Sequence, residues 1–405
     1  MVEQALADTR VVLVNGARQV GKSTLVAQIA RQRDATWHSF DRTETLRLAQ
    51  MDPTEFVRTG YPMVIDEVQR FPELLLAIKE VVDFAGEPGM FLLTGSARVL
   101  RLRDVPDTLP GRVETVELWP LSQGEIDDAP DGFVDAAFHQ GPVLVHHSQE
   151  SREGYVERIV RGGFPEAVAR TGKRRSAFHR SYVADLINRD VLQLSNVEKV
   201  DHLRSLVQLL AAHSGELLVP GTLANRLGVK RDTVNHHLAL LEETFLVRRI
   251  PPWSRNLSTR ATATPKAALV DSGIAVSLLG IDAASLARLG SPLGPLLEGF
   301  VAMELARQLT WCDEDVRMYH YRTRDNVEVD IVLENVRGQV VAIEVKAASS
   351  TRPEDFRGLN HLAERLGDDF VAGYVLHLGA QSLPAGPKMR TLPVAALWEV
   401  GSPVV

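Results

Sequence analysis

Residues 11–30 set the tightest limit on this chain. An apolar run, V-V-L-V-N, passes directly into G-A-R-Q-V-G-K-S-T, which opens the helically spaced S-T-L-V-A-Q-I-A. A buried strand handing over to a helix through a glycine-bearing turn is the building unit of a parallel sheet covered on both faces. The spacing G-x-x-x-x-G-K-[ST] adds chemistry to that geometry. Gly16 and Gly21 let backbone amides curl round a phosphate chain, and the helix N-terminus adds a favourable dipole. Lys22 reaches the outer phosphates, and Ser23 can ligate magnesium. The expected nucleotide contacts are therefore Gly16, Ala17, Arg18, Gln19, Val20, Gly21, Lys22, Ser23 and Thr24.

The same rhythm continues to about residue 120, with strands expected at 10–14, 35–40, 63–65, 90–93 and 113–118 and helices between them. Y-P-M-V-I-D-E-V-Q (61–69) ends a strand in two acids. Asp66 is expected to hold magnesium and Glu67 to orient and polarise the attacking water. M-F-L-L-T-G-S-A-R (90–98) ends another strand in small polar groups, so Thr94 or Ser96 is a candidate neighbour of the outer phosphate; a plain strand-ending turn is the alternative. Arg112 stands just before the next strand. It is either an arginine that reaches a nucleotide across a subunit boundary, or a surface residue near Arg98, Arg101 and Arg103.

Bulk properties narrow the class. A chain of 405 residues with 45% apolar and 24% charged residues has the balance of a multidomain globular protein. One cysteine, Cys312, excludes an internal disulfide and points to a reducing cytoplasm. The N-terminus reads as neither a signal peptide nor a membrane span, and no membrane partner is expected. Net charge is −7, so any nucleic-acid binding must come from local basic patches. R-T-G-K-R-R-S-A-F-H-R (170–180) is one such patch.

Residues 215–253 have the spacing of a winged helix. Thr222 is expected to cap a short helix, Gly228 makes the turn, and a second helix starts near Arg231 with Val234, Leu238 and Leu241 as its apolar stripe. Lys230, Arg231, Asn235 and His236 fall on the other side, and 245–250 is a plausible wing strand carrying Arg248 and Arg249. Those six residues are the candidate DNA contacts. Glu242 and Glu243 on the same helix speak for protein docking instead.

V-E-V-D-I-V-L-E-N-V-R-G-Q-V-V-A-I-E-V-K (327–346) places acids where buried strands do not usually want them. Asp330 ends one short strand segment, and a hairpin would bring it beside Glu344 and Lys346, which share a face. Upstream, Glu298 lines up with Ala302, Leu305 and Leu309 on the packed side of a helix. Helix Glu, strand Asp, then E-x-K is the pattern of PD-(D/E)xK nucleases: Glu298, Asp330 and Glu344 would hold magnesium or manganese, and Lys346 would assist the attacking water. A buried ion pair without chemistry is the competing reading.

Taken together, G-x-x-x-x-G-K-S, V-I-D-E-V-Q, L-L-T-G-S-A and G-R-V-E-T-V-E-L-W-P-L-S-Q-G-E resemble a bacterial and archaeal group of AAA-superfamily ATPases. R-G-G-F-P-E-A-V (161–168), Y-V-A-D-L-I-N-R-D-V (182–191), A-L-V-D-S-G-I-A (268–275) and the final R-T-R-x-x-x-E-V-D…I-E-V-K extend the likeness over nearly the whole chain. The resemblance implies an ATPase core, a winged helix and a C-terminal domain with a restriction-endonuclease-like core. It also implies that Arg189 is a lid residue sensing nucleotide. With only about ten residues before the first strand, an adenine-binding segment there is expected to be short or missing.

The expected architecture is thus an α/β multidomain chain: an AAA-type P-loop core with a parallel sheet at 1–120, a helical lid at 121–214, a winged helix at 215–260 and a PD-(D/E)xK-like domain at 261–405. The expected function is an ATP-dependent, DNA-binding and DNA-processing enzyme, as a monomer, dimer or ring. A nucleotide-gated switch that docks a protein partner, with an inert C-terminal core, is one alternative. A toxin-type nuclease acting on RNA is another.

Overall fold

The structure is a computed structural model describing residues 1–96, 111–191, 200–256, 258, 260 and 263–402, and the side chains of all of these except 85 and 190. Arg98, Arg101 and Arg103 lie outside the described residues. The chain divides into two compact units, Met1–Trp119 with Glu243–Phe245, and Pro120–Glu242 with Leu246–Val405.

The first unit is built on five strands, β1 (Val11–Gly16), β2 (Thr36–Ser39), β3 (Met63–Asp66), β4 (Phe91–Gly95) and β5 (Val113–Leu118), in the order β2-β3-β4-β1-β5 with every pair parallel. Each lies within two residues of its expected span. Alternation explains why β1 reads as unbroken apolar sequence, since successive side chains face opposite sides and both sides are covered. Val11, Leu13, Ile65 and Leu93 pack with Ile78 and Val82 of the helix Leu74–Ala85. Val12, Val14, Val64 and Leu92 pack on the other face with Val26 and Ile29 of the helix Lys22–Gln32.

The second unit opens with helices. Two of the motifs noted above are its joints. Ser122 and Glu125 form a capping box at the helix Gln123–Asp127, and the buried Glu304 accepts from the Gln123 N–H at 2.9 Å. Asp271, fully buried, accepts from the Gly163 N–H at 2.6 Å and caps the helix Ser272–Leu279 through the Ile274 N–H at 3.0 Å. Gly162 cannot be replaced there, because its φ is +67° and a Cβ would stand 2.3 Å from Asp271 Oδ1. R-G-G-F-P and V-D-S-G are thus two halves of one clasp.

Three helices, Val200–Ala212, Pro220–Leu227 and Arg231–Glu243, then lead into β6 (Val247–Ile250), which pairs antiparallel with β7 (Lys266–Leu269). Thr222 is not the cap: Val219 holds that place, with proline at the first helical position, where its missing N–H costs nothing. Gly228 closes the helix in the left-handed region, as the turn requires. Because β7 belongs to this hairpin, the division expected at residue 260 cuts through one small sheet.

The last sheet runs β12-β11-β10-β9-β8, with β8 (Val316–Arg322), β9 (Glu328–Asn335), β10 (Val340–Lys346), β11 (Phe370–His377) and β12 (Met389–Pro393). β8, β9 and β10 pair antiparallel, while β11 and β12 add in parallel. The helix Leu293–Gln308 is buried along almost its whole length, and Arg357–Leu366 presents Leu359, Leu362 and Leu366 to the sheet. Asp330 stands near the start of β9, not at a strand end. Among the described residues no helix is long and apolar enough to cross a membrane.

Candidate functional site

In the first unit the loop from Gly16 to Ser23 follows the C-terminal end of β1, an interior strand between β4 and β5. Gly16 is required by crowding: a Cβ there would stand 2.1 Å from the Leu118 carbonyl oxygen of β5. Gly21, with φ +104°, caps the helix, and Gln19 also has positive φ, so the loop turns its amides inward. Lys22 is buried, and its Nζ donates to the carbonyls of Gly16 at 2.9 Å and Ala17 at 2.7 Å. Its ammonium is thus held at the mouth of the loop by acceptors that phosphate oxygens can replace.

The structure brings Ser23 and Asp66 together. The Ser23 hydroxyl donates to Asp66 Oδ1 at 2.9 Å, and Thr94 Oγ1 donates to the same oxygen at 2.6 Å. Thr94 in turn accepts from the Glu67 N–H at 3.0 Å. This is possible because Glu67 adopts the left-handed conformation, φ +62°, which is unfavourable for a side chain of its size and turns the chain sharply after Asp66. Of the two candidates at the end of β4, Thr94 bonds Asp66, while Ser96 Oγ, just past the strand, accepts from Gln69 Nε2 at 2.9 Å. The same Gln69 amide donates to Glu67 Oε2. Gln69 was visible in V-I-D-E-V-Q but its role was not, because only the short helical turn Val68–Arg70 folds it back on Glu67.

Two buried acceptors here, Asn15 Oδ1 and Gln69 Oε1, have no hydrogen-bond partner among the described residues. Orphaned polar atoms beside an inward-turned amide loop fit a site built for a polar ligand. Arg112 lies beside β5 as placed, but its guanidinium is engaged by Asp83 of the helix Leu74–Ala85 within the same unit. Arg189 is exposed in the second unit, on the turn Leu186–Val191.

In the second unit Lys230, Arg231, Asn235 and His236 are exposed while Val234, Leu238 and Leu241 are buried, the division the stripe predicts. Arg249 is exposed but paired with Glu242, and Arg248 is half-buried. The basic stretch 170–180 is partly structural, since Arg175 is buried and bonded to Glu157 and to the carbonyls of Ala167 and Arg170.

The C-terminal set is brought together, though not around open space. Asp330 Oδ2 accepts from the Val345 N–H at 3.0 Å, tying β9 to β10, and Lys346 donates to Glu344 Oε1 at 2.6 Å. Glu298 and Asp330 converge on a residue the sequence reading passed over. The Lys266 ammonium, from β7, contacts Glu298 Oε1, Glu328 Oε1 at 3.0 Å and Asp330 Oδ1 at 3.1 Å. Burial pulls the Lys266 ammonium towards neutrality, but Asp330, Glu298 and Glu328 outweigh it and raise its pKa. Burial and the Asp330 charge push Glu298 up to about 8 against the pull of Lys266, and burial and Asp330 push Glu344 up to about 7. Among the described residues no group of three or more His, Cys, Asp or Glu has the arrangement of a metal site. Sequence held one signal for Lys266: a lysine opening the apolar run K-A-A-L-V directly after the connector 251–265.

Residues 8–127 match the family described as an AAA domain, in keeping with the parallel sheet and G-x-x-x-x-G-K-S loop of the first unit. Residues 152–285 match a domain of unknown function (DUF8612), and residues 293–397 another (DUF4143). Over 353 residues, 86% of this chain and 73% of the relative, the chain is 29% identical to the uncharacterized protein Rv2008c of Mycobacterium tuberculosis, and equally to Mb2031c of Mycobacterium bovis. An uncharacterized Haemophilus influenzae protein is 25% identical over 222 residues, 54% of this chain and 51% of its own. Among solved structures, the RuvB Holliday junction branch migration motor of Thermotoga maritima is 19% identical, covering 62% of this chain and 86% of its own with a TM-score of 0.29. AMPPCP-bound DnaA from Aquifex aeolicus is 16% identical over 60% of this chain and 86% of its own, with a TM-score of 0.25. Both overlaps are too loose to define the arrangement of the whole chain.

Proposed function

We propose that this chain is an ATP-hydrolysing switch that engages DNA through a winged helix. The observation that carries it is the Ser23–Asp66–Thr94–Glu67 chain of hydrogen bonds at the C-terminal end of the central strands. The loop amides and Lys22 bind the phosphates, with the ammonium exchanging the Gly16 and Ala17 carbonyls for phosphate oxygens. Magnesium, when bound, would be held by Ser23 and Asp66 and would neutralise phosphate charge. Gln69 restrains Glu67 Oε2, so that Oε1 is the oxygen that aligns water and draws its proton. Thr94 holds Asp66 and the Glu67 backbone in one geometry, which limits reorganisation as charge develops.

DNA engagement is supported by the helix–helix–hairpin order and by the exposed Lys230, Arg231, Asn235 and His236 on the second helix of the turn. In the C-terminal module a helix, three antiparallel strands, a helix and a parallel strand follow one another, the order of a nuclease-like core. Glu298, Asp330, Glu344 and Lys346 sit at its centre, yet the Lys266 ammonium occupies their meeting point, so no cleavage step is derived there. That contact, with the Glu242–Arg249 pair on the wing, favours the second reading, a switch that docks a protein partner.

The test is ATPase rate with single-stranded, duplex and four-way DNA, and with RNA as a parallel arm. Lys22→Ala, which should keep its fold by circular dichroism, should abolish hydrolysis. Absence of any heat of binding with ATP and magnesium in a calorimeter would end the ATPase reading. Stimulation by DNA supports DNA engagement, whereas an unstimulated rate with ATP-dependent capture of one defined protein would replace it by the docking switch.

A further inference from the structure

The meeting point of the C-terminal carboxylates is already taken by a cation belonging to the chain. Lys266 is 2% exposed, and its Nζ is shared by Glu298 of the helix Leu293–Gln308 and by Glu328 and Asp330 of β9. An ammonium has three protons and no acceptor; here it donates to Glu298 and Asp330, and Glu328 adds an ion pair. A magnesium or manganese ion would need those same oxygens, and at contact distance in a poorly polarisable interior it would repel the ammonium strongly. The surrounding charges are matched to an ammonium as well. Arg322 pairs with Glu328 at 3.1 Å on the outer side, and Lys346 holds one oxygen of Glu344, whose Oε2 is buried without a partner among the described residues. The site therefore fits a monovalent cation tethered to β7 and does not fit an added divalent one.

We propose that the Lys266 ammonium is the resident cation of the C-terminal core, standing where a divalent metal would bind between Glu298 and Asp330. The core holds its fold without metal and binds none while Lys266 is in place. Lys266 heads the second strand of the wing, opposite Ile250, so the hairpin of one module supplies the counter-charge of the next. Removing the ammonium leaves Glu298, Glu328 and Asp330 without their shared counter-charge and creates a divalent site.

The experiment is titration with Mn2+, free ion being followed by electron paramagnetic resonance. It uses full-length protein without nucleotide, in an Asp66→Asn background that silences the first unit. The background protein should bind no Mn2+ at the core up to about 1 mM, whereas Lys266→Met should take up about one ion per chain at least about ten-fold more tightly. Background protein binding within about two-fold of Lys266→Met, or a folded Lys266→Met that binds none, overturns the proposal. If Lys266→Met does not fold, Lys266→Met with Glu328→Gln removes one charge of each sign and carries the same two outcomes. Variants that unfold in a chelator and refold only with Mn2+ support the proposal, and variants that stay unfolded with Mn2+ overturn it.

Discussion

The Ser23 hydroxyl and the Asp66 carboxylate, 43 residues apart in sequence, are joined by a hydrogen bond of 2.9 Å. Ser23 stands in the first turn of a helix and Asp66 at the end of β3, and Asp66 is 6% exposed. A buried carboxylate restrained by two hydroxyls is rigid, while Glu67, one residue on, has one carboxylate oxygen held by Gln69. In the proposed function Asp66 takes the binding role and Glu67 the catalytic one.

Glu67→Gln should separate these roles experimentally. ATP affinity by calorimetry should stay within about three-fold of the parent, while the steady-state hydrolysis rate falls by about 100-fold or more. A rate within ten-fold of the parent would remove Glu67 from the catalytic step.

Gly16→Ala tests the crowding at β5. The added methyl meets the Leu118 carbonyl at 2.1 Å, so strand and loop must part. Stability of the first unit should drop by about 2 kcal/mol or more, read as a lower chemical-denaturation midpoint, and ATP binding should be lost. Gly21, with nothing within 4 Å of an added Cβ, should lose function through backbone strain and not through a clash.

Charge reversal on the exposed helix face should weaken DNA and leave the nucleotide site alone. Arg231→Glu with Lys230→Glu is expected to lower duplex affinity by about ten-fold at low salt and to flatten the salt dependence by about two phosphate contacts. Basal ATPase rate should not change. An unchanged salt slope in a binding titration would take this helix out of the interface.

Acid should destabilise the second unit through buried histidines. Burial, aided by the Lys266 charge, lowers His320 to about 4, and Nε2 bonds the Thr264 carbonyl at 3.0 Å. The unfolded imidazole then binds more protons than the folded one between about pH 6.5 and pH 4, so the His320 contribution to stability rises with pH across that window, while the raised Glu298 and Glu344 act in the opposite sense. The His320 share reaches at most about 3 kcal/mol at pH 4, and His320→Gln should flatten the acid limb of a denaturation-midpoint profile. Glu328 and Arg322 also face this ring with opposite signs. A profile unchanged by the substitution would show that the ring protonates freely in the folded state.

What sequence alone determined was local and periodic. The loop 16–24 could be read because its chemistry requires particular residues at consecutive positions, and the five strands because a sheet covered on both faces demands unbroken apolar runs. The strand-end position of Asp66 and Glu67 and the helical position of Glu298 were legible in the same way. Only the tertiary structure decided the identity of their partners. Thr94 rather than Ser96 serves Asp66, Gln69 turns back onto Glu67, Arg112 closes on Asp83, and Lys266 lands among Glu298, Glu328 and Asp330. Hydrogen bonds and ion pairs form between atoms, wherever the chain brings them. Spacing along the sequence records which face a residue takes, whereas the neighbour waiting on that face is set by packing between distant segments.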